Sequence, residues 1–287
     1  MNRVFFSRTR TQQKIKLRRN TSISFDFEST SSRFYGSIVM NPVSTRRIQP
    51  QNMLHQNSSS SISFDFDSIL RTKPFPLWLK REMRSNHAGE TGAVYIYRGC
   101  ISAIHLRQKY FPGNNWKEYE TELIKFASEH ERSEQHHLNL LDQILVDRND
   151  VSSLLPLWKI SGFVLGFSST IWCPRGMYLT TEAVETFVEQ HYKDQINRLE
   201  EEEEEEKVAM GLRKNNNKEE NVRRRGRMEL KRLLEFCCED EIHHQREARD
   251  RASKGPFPWK HFLWIDTSWM FVVERGSSVG AEIAKRI

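Results

Sequence analysis

Cysteine is scarce in this chain, and the four that occur (Cys100, Cys173, Cys237, Cys238) form no paired C-x-x-C ligands. Two of them are adjacent, so the sequence points to neither a zinc site nor a disulfide framework, and a reducing compartment fits. No Gly-rich dinucleotide fingerprint occurs, and with it goes the direct sequence argument for a nucleotide fold. The apolar core run of a secretory signal is missing at the start of the chain. Hydrophobic residues make up 37% and the mean hydropathy is −0.68, values that leave part of the chain with nothing to bury.

That part is the beginning. The first 50 residues hold ten Lys and Arg against Asp26 and Glu28, a local charge of +8, which leaves −2 for the remainder of a chain whose net charge is +6. The basic character therefore belongs to the leader, and no nucleic-acid partner is expected of the folded part. An Arg- and Ser-rich leader without an acidic residue before Asp26 reads as a mitochondrial presequence, with a processing point near Arg33-Phe34-Tyr35. A disordered tail or a plastid destination also fits this composition. The hexapeptide SISFDF occurs twice, at Ser22 to Phe27 and at Ser61 to Phe66. The expected organisation is a disordered leader over 1–67 and one folded domain over 68–287, interrupted by a charged insert over 200–226.

From about Phe75 onward the pattern is helical, with no convincing period-2 segment, so the fold class is all-α. The spacing predicts helices over Leu77 to Tyr110, Trp116 to Asp147 and Leu154 to Trp172. A fourth follows Gly176 into the acidic run Glu200 to Glu206, a fifth lies between Gly226 and Gly255, and an amphipathic stretch runs from Phe262 to Ile283. The glutamate run, Asn215 to Asn217 and Arg223 to Arg225 read as a solvated connector, the glutamates extending the fourth helix into water.

The second predicted helix carries a core stripe at Leu123, Ala127, His130, Glu134, His137, Leu141 and Ile144, and the fifth repeats it at Leu230, Leu234, Cys237, Glu241, His244 and Ala248. Each stripe is apolar at both ends and holds Glu-x-x-His where Leu would normally sit. Positions i and i+3 point from one face, close enough to serve one ion. The first and fourth helices add Glu90 and Glu185 on apolar faces of their own. Four carboxylates on apolar faces need a common counter-charge, because burying any of them unpaired costs on the order of several kcal/mol. Two divalent cations balance the four, and two neutral imidazoles complete the donor set of a di-iron or di-manganese bundle. A lone Glu-x-x-His is usually a surface pair; two, each preceded by a carboxylate helix, form an internal repeat. His130 reads equally as a hydrogen-bond partner of the ligands or a core histidine. His136 and His243 point about 100° away from the stripes and are expected to be exposed, although Asp240 with His243 offers a shifted register.

The segments HAGETGAVYIYRG (His87 to Gly99), SEQHHLNLL (Ser133 to Leu141), PLWKISGFVLGF (Pro156 to Phe167), AVETFVEQHYKDQI (Ala183 to Ile196) and EDEIHHQ (Glu239 to Gln245) together resemble the 5-demethoxyubiquinone hydroxylase family. The likeness covers roughly Leu77 to Ala248. It implies a ferritin-like four-helix bundle with an additional apolar interfacial helix and a C-terminal helix. Its iron ligands fall on Glu90, Glu134, His137, Glu185, Glu241 and His244, supported by His191 and Tyr192. It further implies a di-iron monooxygenase that hydroxylates the ring of 5-demethoxyubiquinone with O2 in ubiquinone biosynthesis, with NADH as reductant. The implied partners are a polyprenyl benzoquinone, the inner-membrane surface and other coenzyme Q biosynthesis proteins, including a lipid-binding partner. The implied place is the matrix side of the mitochondrial inner membrane, held peripherally. The alternatives are another ferritin-like di-iron quinol oxidase, which shares the ligand order, and a non-catalytic ferritin-like iron-binding protein. The loops within each half of the repeat are longer than the family implies.

Val151 to Trp172 is the candidate membrane contact, 22 residues with Lys159 as the single charge and Trp158 and Trp172 near its ends. Its length would suffice to span. Pro156, Gly162 and Gly166 argue against that, and spanning would separate two helices that must share one metal site. The expectation is an interfacial helix.

Overall fold

The computed structural model describes residues 63–110, 117–147, 150–211, 218–254 and 263–287. The presequence, its processing point and the first SISFDF copy lie outside the described residues. Seven helices follow in chain order among the described residues: α1 (Phe66–Leu70), α2 (Leu77–Tyr110), α3 (Lys117–Ile144), α4 (Leu155–Trp172), α5 (Pro174–Gly211), α6 (Lys218–Lys254) and α7 (Leu263–Arg286). Helices α2, α3, α5 and α6 form the bundle; α4 lies along α2, and α7 packs on α2 and α5.

The periodicity of the sequence accounts for the four bundle helices, whose apolar stripes meet in two core clusters. One holds Ile96, Tyr97, Leu123, Phe126, Tyr178 and Ala248; the other holds Leu79, Met83, Leu141, Tyr192, Leu234 and Cys237. Along α3 the stripe passes from Phe126 in the first cluster through His130, Glu134 and His137 to Leu141 in the second. The polar residues are thus bracketed along the bundle by apolar packing at both ends.

Helix α4 approaches α2 at backbone distance. A Cβ on Gly162 would lie 2.2 Å from the carbonyl oxygen of Gly92, and one on Gly166 would lie 1.8 Å from that of Ile96. These glycines, which argue against a membrane span in the sequence, are what lets the two helices touch. No helix among the described residues is long and apolar enough to cross a membrane. The opposite face of α4 leaves Leu157, Ile160 and Val164 exposed, and α7 exposes Phe271, Val272 and Val279.

Two boundaries differ from the sequence expectation. Gly226 lies inside α6 rather than before it, and α1 crosses there so closely that a Cβ on Gly226 would meet Ser68 O at 2.1 Å. Residues 64–66, assigned to the leader above, pack on α6, with the Phe64 ring 5.8 Å from that of Phe236 and Arg225 3.0 Å from Asp65. Asp65 also accepts the Ser68 amide and so caps α1. The charged insert is largely helical. Glu200 to Glu206 continue α5, and they meet the start of α6 through Glu200 with Lys231 (2.6 Å), Glu203 with Arg224 (3.8 Å) and Glu206 with Arg227. An acidic run pairs with a basic one across an antiparallel hairpin, which explains why neither strand of the insert repels itself out of the helix.

Candidate metal centre

Glu90 comes from α2, Glu134 and His137 from α3, Glu185 from α5, and Glu241 and His244 from α6, and all six side chains are buried. They form two overlapping groups, Glu90, Glu134, His137 and Glu241, and Glu134, Glu185, Glu241 and His244. In each group the donor atoms lie within 4.8 Å of one another. Glu134 and Glu241 belong to both, the arrangement expected of carboxylates that bridge two ions.

His137 Nδ1 is 3.0 Å from Glu241 Oε1, and His244 Nδ1 is 3.2 Å from both Glu134 Oε1 and Glu241 Oε2. Glu134 Oε1, Glu241 Oε1 and His137 Nδ1 are buried without a hydrogen-bond partner. Buried polar atoms are nearly always satisfied, so three unsatisfied ones converging on one point fit a pair of cations. Oxygen and imidazole donors without thiolate suit iron or manganese.

The protonation pattern carries the same imprint. Burial pushes the Glu90 carboxyl up to about 8. Burial, reinforced by the charges of Glu241 and Glu134, raises Glu185 well above the carboxylate range. Glu134 and Glu241 are held low against the push of burial by the neighbouring rings of His137 and His244. His244 rises to about 10 against its burial because Glu134 and Glu241 flank it. Two neutral carboxyls, two carboxylates and two imidazolium rings leave the metal-free cluster uncharged, the balance that two divalent ions would restore after displacing the protons.

Partners outside the six fix their orientation. Tyr192 donates to Glu90 Oε1 at 2.6 Å, and Tyr97 to Glu185 Oε1 at 3.3 Å. His137 turns Nε2 to Asp240 Oδ2 at 3.1 Å, so Nδ1 faces inward. The sequence reading weighed Asp240 only for a shifted register and missed this role; its position directly before Glu241 was the available signal. Tyr97 was missed as well, although it stands seven residues after Glu90 on the same face. His130 bonds the Phe126 carbonyl through Nδ1 at 3.0 Å, and its ring lies tilted by 43° against that of His244 with centroids 4.3 Å apart. His136 and His243 are exposed. His191, one residue before Tyr192, lies 3.4 Å from Glu82.

A cavity of about 490 Å³ adjoins the cluster. Its floor includes Glu90 and Glu185, and its walls come from α4 (Trp158, Leu165) and α7 (Trp269, Val273). Its lining is mostly apolar, with the carboxylates at one point and His191 at another.

Residues 78–265 match the family model described as "Ubiquinone biosynthesis protein COQ7". The chain belongs to the COQ7 family. Among curated relatives it is similar to the "NADPH-dependent 3-demethoxyubiquinone 3-hydroxylase, mitochondrial" of Dictyostelium discoideum, at 33% identity over 121 residues, 42% of this chain and 50% of that one. It is also similar to the "3-demethoxyubiquinol 3-hydroxylase" of Rhodospirillum rubrum, at 30% over 122 residues, 42% and 51% of the two chains. To the "5-demethoxyubiquinone hydroxylase, mitochondrial" of Saccharomyces cerevisiae it is 32% identical over 124 residues, 42% and 48%. The aligned part of the chain spans about half the length of these COQ7-type relatives. The first of these names specifies NADPH, where the sequence resemblance implies NADH.

Proposed function

We propose that this chain is a di-iron monooxygenase that hydroxylates the ring of a demethoxyubiquinone in ubiquinone biosynthesis. Glu90, Glu134, His137, Glu185, Glu241 and His244 would hold the two ions, with Glu134 and Glu241 shared. The observation that carries the reading is an apolar cavity of about 490 Å³ that joins this carboxylate–histidine cluster to exposed apolar surface on α4 and α7. Storage of iron gives no reason for such a cavity; a hydrophobic quinone does.

When bound, the metal pair supplies the redox chemistry that activates O2. The chain's own residues prepare the setting. Tyr192 and Tyr97 hold the Glu90 and Glu185 carboxylates through their hydroxyls, and Asp240 keeps the proton of His137 on Nε2, leaving Nδ1 free as a donor atom. The apolar walls exclude water from the ring during reaction. A nicotinamide dinucleotide is the reductant in this reading, NADPH by the names of the relatives.

A polyprenyl tail has to be drawn from a bilayer. Leu157 on α4 and Val272 and Val279 on α7 border the cavity and are exposed; together with Ile160 and Val164, exposed further along α4, they would lie in the membrane interface. The compartment is the mitochondrion, as the relatives' names and the Arg-rich leader suggest, and in this reading the membrane is the inner one.

Expression in cells lacking the hydroxylase, with quinones followed by mass spectrometry, tests the reading. Wild type should convert demethoxyubiquinone to ubiquinone and Glu134→Ala should not. If both are expressed and imported and neither converts it, the substrate assignment falls.

A further inference from the structure

A continuous row of polar side chains crosses the wall of the cavity at the C-terminal end of α7. Glu282 is 55% exposed at its side chain and lies 2.8 Å from Lys285. Lys285 lies 3.0 Å from Glu82 Oε1, and Glu82 Oε2 lies 3.4 Å from His191 Nε2. His191 lines the cavity. Three helices contribute, α7, α2 and α5, and the row begins at solvent and ends beside the space assigned to the quinone.

The inner end of the row is incompletely bonded. Glu82 Oε2 and His191 Nε2 are both buried without a hydrogen-bond partner in good geometry. Such atoms are costly unless a water, a ligand or a shared proton satisfies them. Burial, aided by Lys285, lowers His191 to about 4, so the imidazole is neutral at physiological pH. Burial raises Glu82 while Lys285 opposes that rise. Asp194 and Arg198 on α5 and Glu282 on α7 also face these groups. A neutral imidazole accepts a proton at one ring nitrogen and releases one from the other, which suits it to the inner end of a relay.

We propose that Glu282, Lys285, Glu82 and His191 form a proton inlet that carries one solvent proton per turnover into the cavity. The proposal rests on the hydroxylase reading, whose balance requires that proton. The nicotinamide gives up a hydride, which is two electrons and one proton. The O–O bond of O2 breaks, one oxygen atom enters a ring C–H bond to make C–OH, and the other leaves as water. O2 is reduced, the ring carbon and the nicotinamide are oxidised, and the one proton still owed comes from solution.

The test uses the full-length, metal-loaded protein with a short-tailed demethoxyquinone. Glu82→Gln removes the relay's carboxylate with little change of shape. The expected result is a kcat lower by about tenfold, an unchanged KM for the quinone, a larger solvent deuterium isotope effect, and partial rescue by added acetate. A wild-type isotope effect with unchanged kcat overturns the inlet. So does a raised KM alone, which would make Glu82 a wall residue. Should Glu82→Gln fail to fold, Lys285→Met at the more accessible end is expected to show the same isotope signature, and its absence overturns the proposal. A second readout needs no turnover: the ring ¹⁵N resonances of His191 should move in Glu82→Gln, and an unmoved ring overturns the contact on which the inlet depends. If wild type itself does not hydroxylate the quinone while those resonances do respond, the functional reading fails and the inlet with it, although the contact stands.

Discussion

The outer ring nitrogen of His137 faces the Asp240 carboxylate at 3.1 Å while its inner nitrogen faces Glu241 at 3.0 Å, so two consecutive residues of α6 hold one imidazole from opposite sides. The Asp240 side chain is 38% exposed, and Asn keeps its shape. Asp240→Asn is therefore expected to keep the fold and weaken metal binding by about 10–100-fold. Competition with a coloured chelator measures it; unchanged affinity would remove Asp240 from the site.

Metal loading should release protons. At pH 7 Glu90, Glu185, His137 and His244 all hold protons in the metal-free cluster, so filling it displaces up to four. Titration with Fe(II) under anaerobic conditions in two buffers of different ionisation enthalpy counts them. A count near zero would mean the ions bind elsewhere.

The same shifts set the pH dependence of the metal-free protein. Glu90 and His244 have folded pKa values raised above their ordinary ones, so each contributes stability that is complete below the unfolded pKa and is lost as pH rises. For Glu90 that window runs from 4.5 to about 8, and for His244 from 6.5 to about 10. The Tm of the metal-free form is expected to fall from pH 6 to pH 9, and the increment in Tm on adding metal to grow over the same range. A flat metal-free profile would contradict the buried cluster.

Gly166→Ala places a methyl group 1.8 Å from the Ile96 carbonyl oxygen. Helix α4 must then move off α2, at a cost of about 1–3 kcal/mol. Thermal melting should show the loss, and because α4 forms a wall of the cavity, quinone affinity should drop with it.

Ile160 and Val164 are exposed on the face of α4 that points away from α2. Ile160→Asp with Val164→Asp should leave melting and metal content unchanged and reduce co-flotation with anionic phospholipid vesicles by on the order of 100-fold, the equivalent of about 3 kcal/mol. Equal flotation would move the membrane contact to another face.

The bundle helices were legible because a helical period is a local property. Leu77 to Tyr110 needed only the apolar spacing and the flanking prolines to be read, and the observed α2 has those same ends. The start of α6 was not legible, since Gly226 looks like a boundary but lies within the helix, where α1 crosses it closely. Residues 64–66 were read as leader for the same reason: Phe236, the partner of Phe64, is 172 residues away in the chain, and no local pattern announces it.

By itself the sequence determined which residues share a helical face, and so singled out Glu90, Glu134, His137, Glu185, Glu241 and His244 as polar groups within apolar stripes. A fixed rotation per residue makes that inference possible without any knowledge of packing. Only the tertiary structure decided that Glu90 and His137 stand on one side of the shared carboxylates and Glu185 and His244 on the other. It alone set Asp240 against His137, brought Gly166 onto the backbone of Ile96, and laid α7 over the cavity so that Lys285 reaches Glu82. These relationships depend on which faces of which helices meet, and that is chosen by the burial of the whole set of stripes at once.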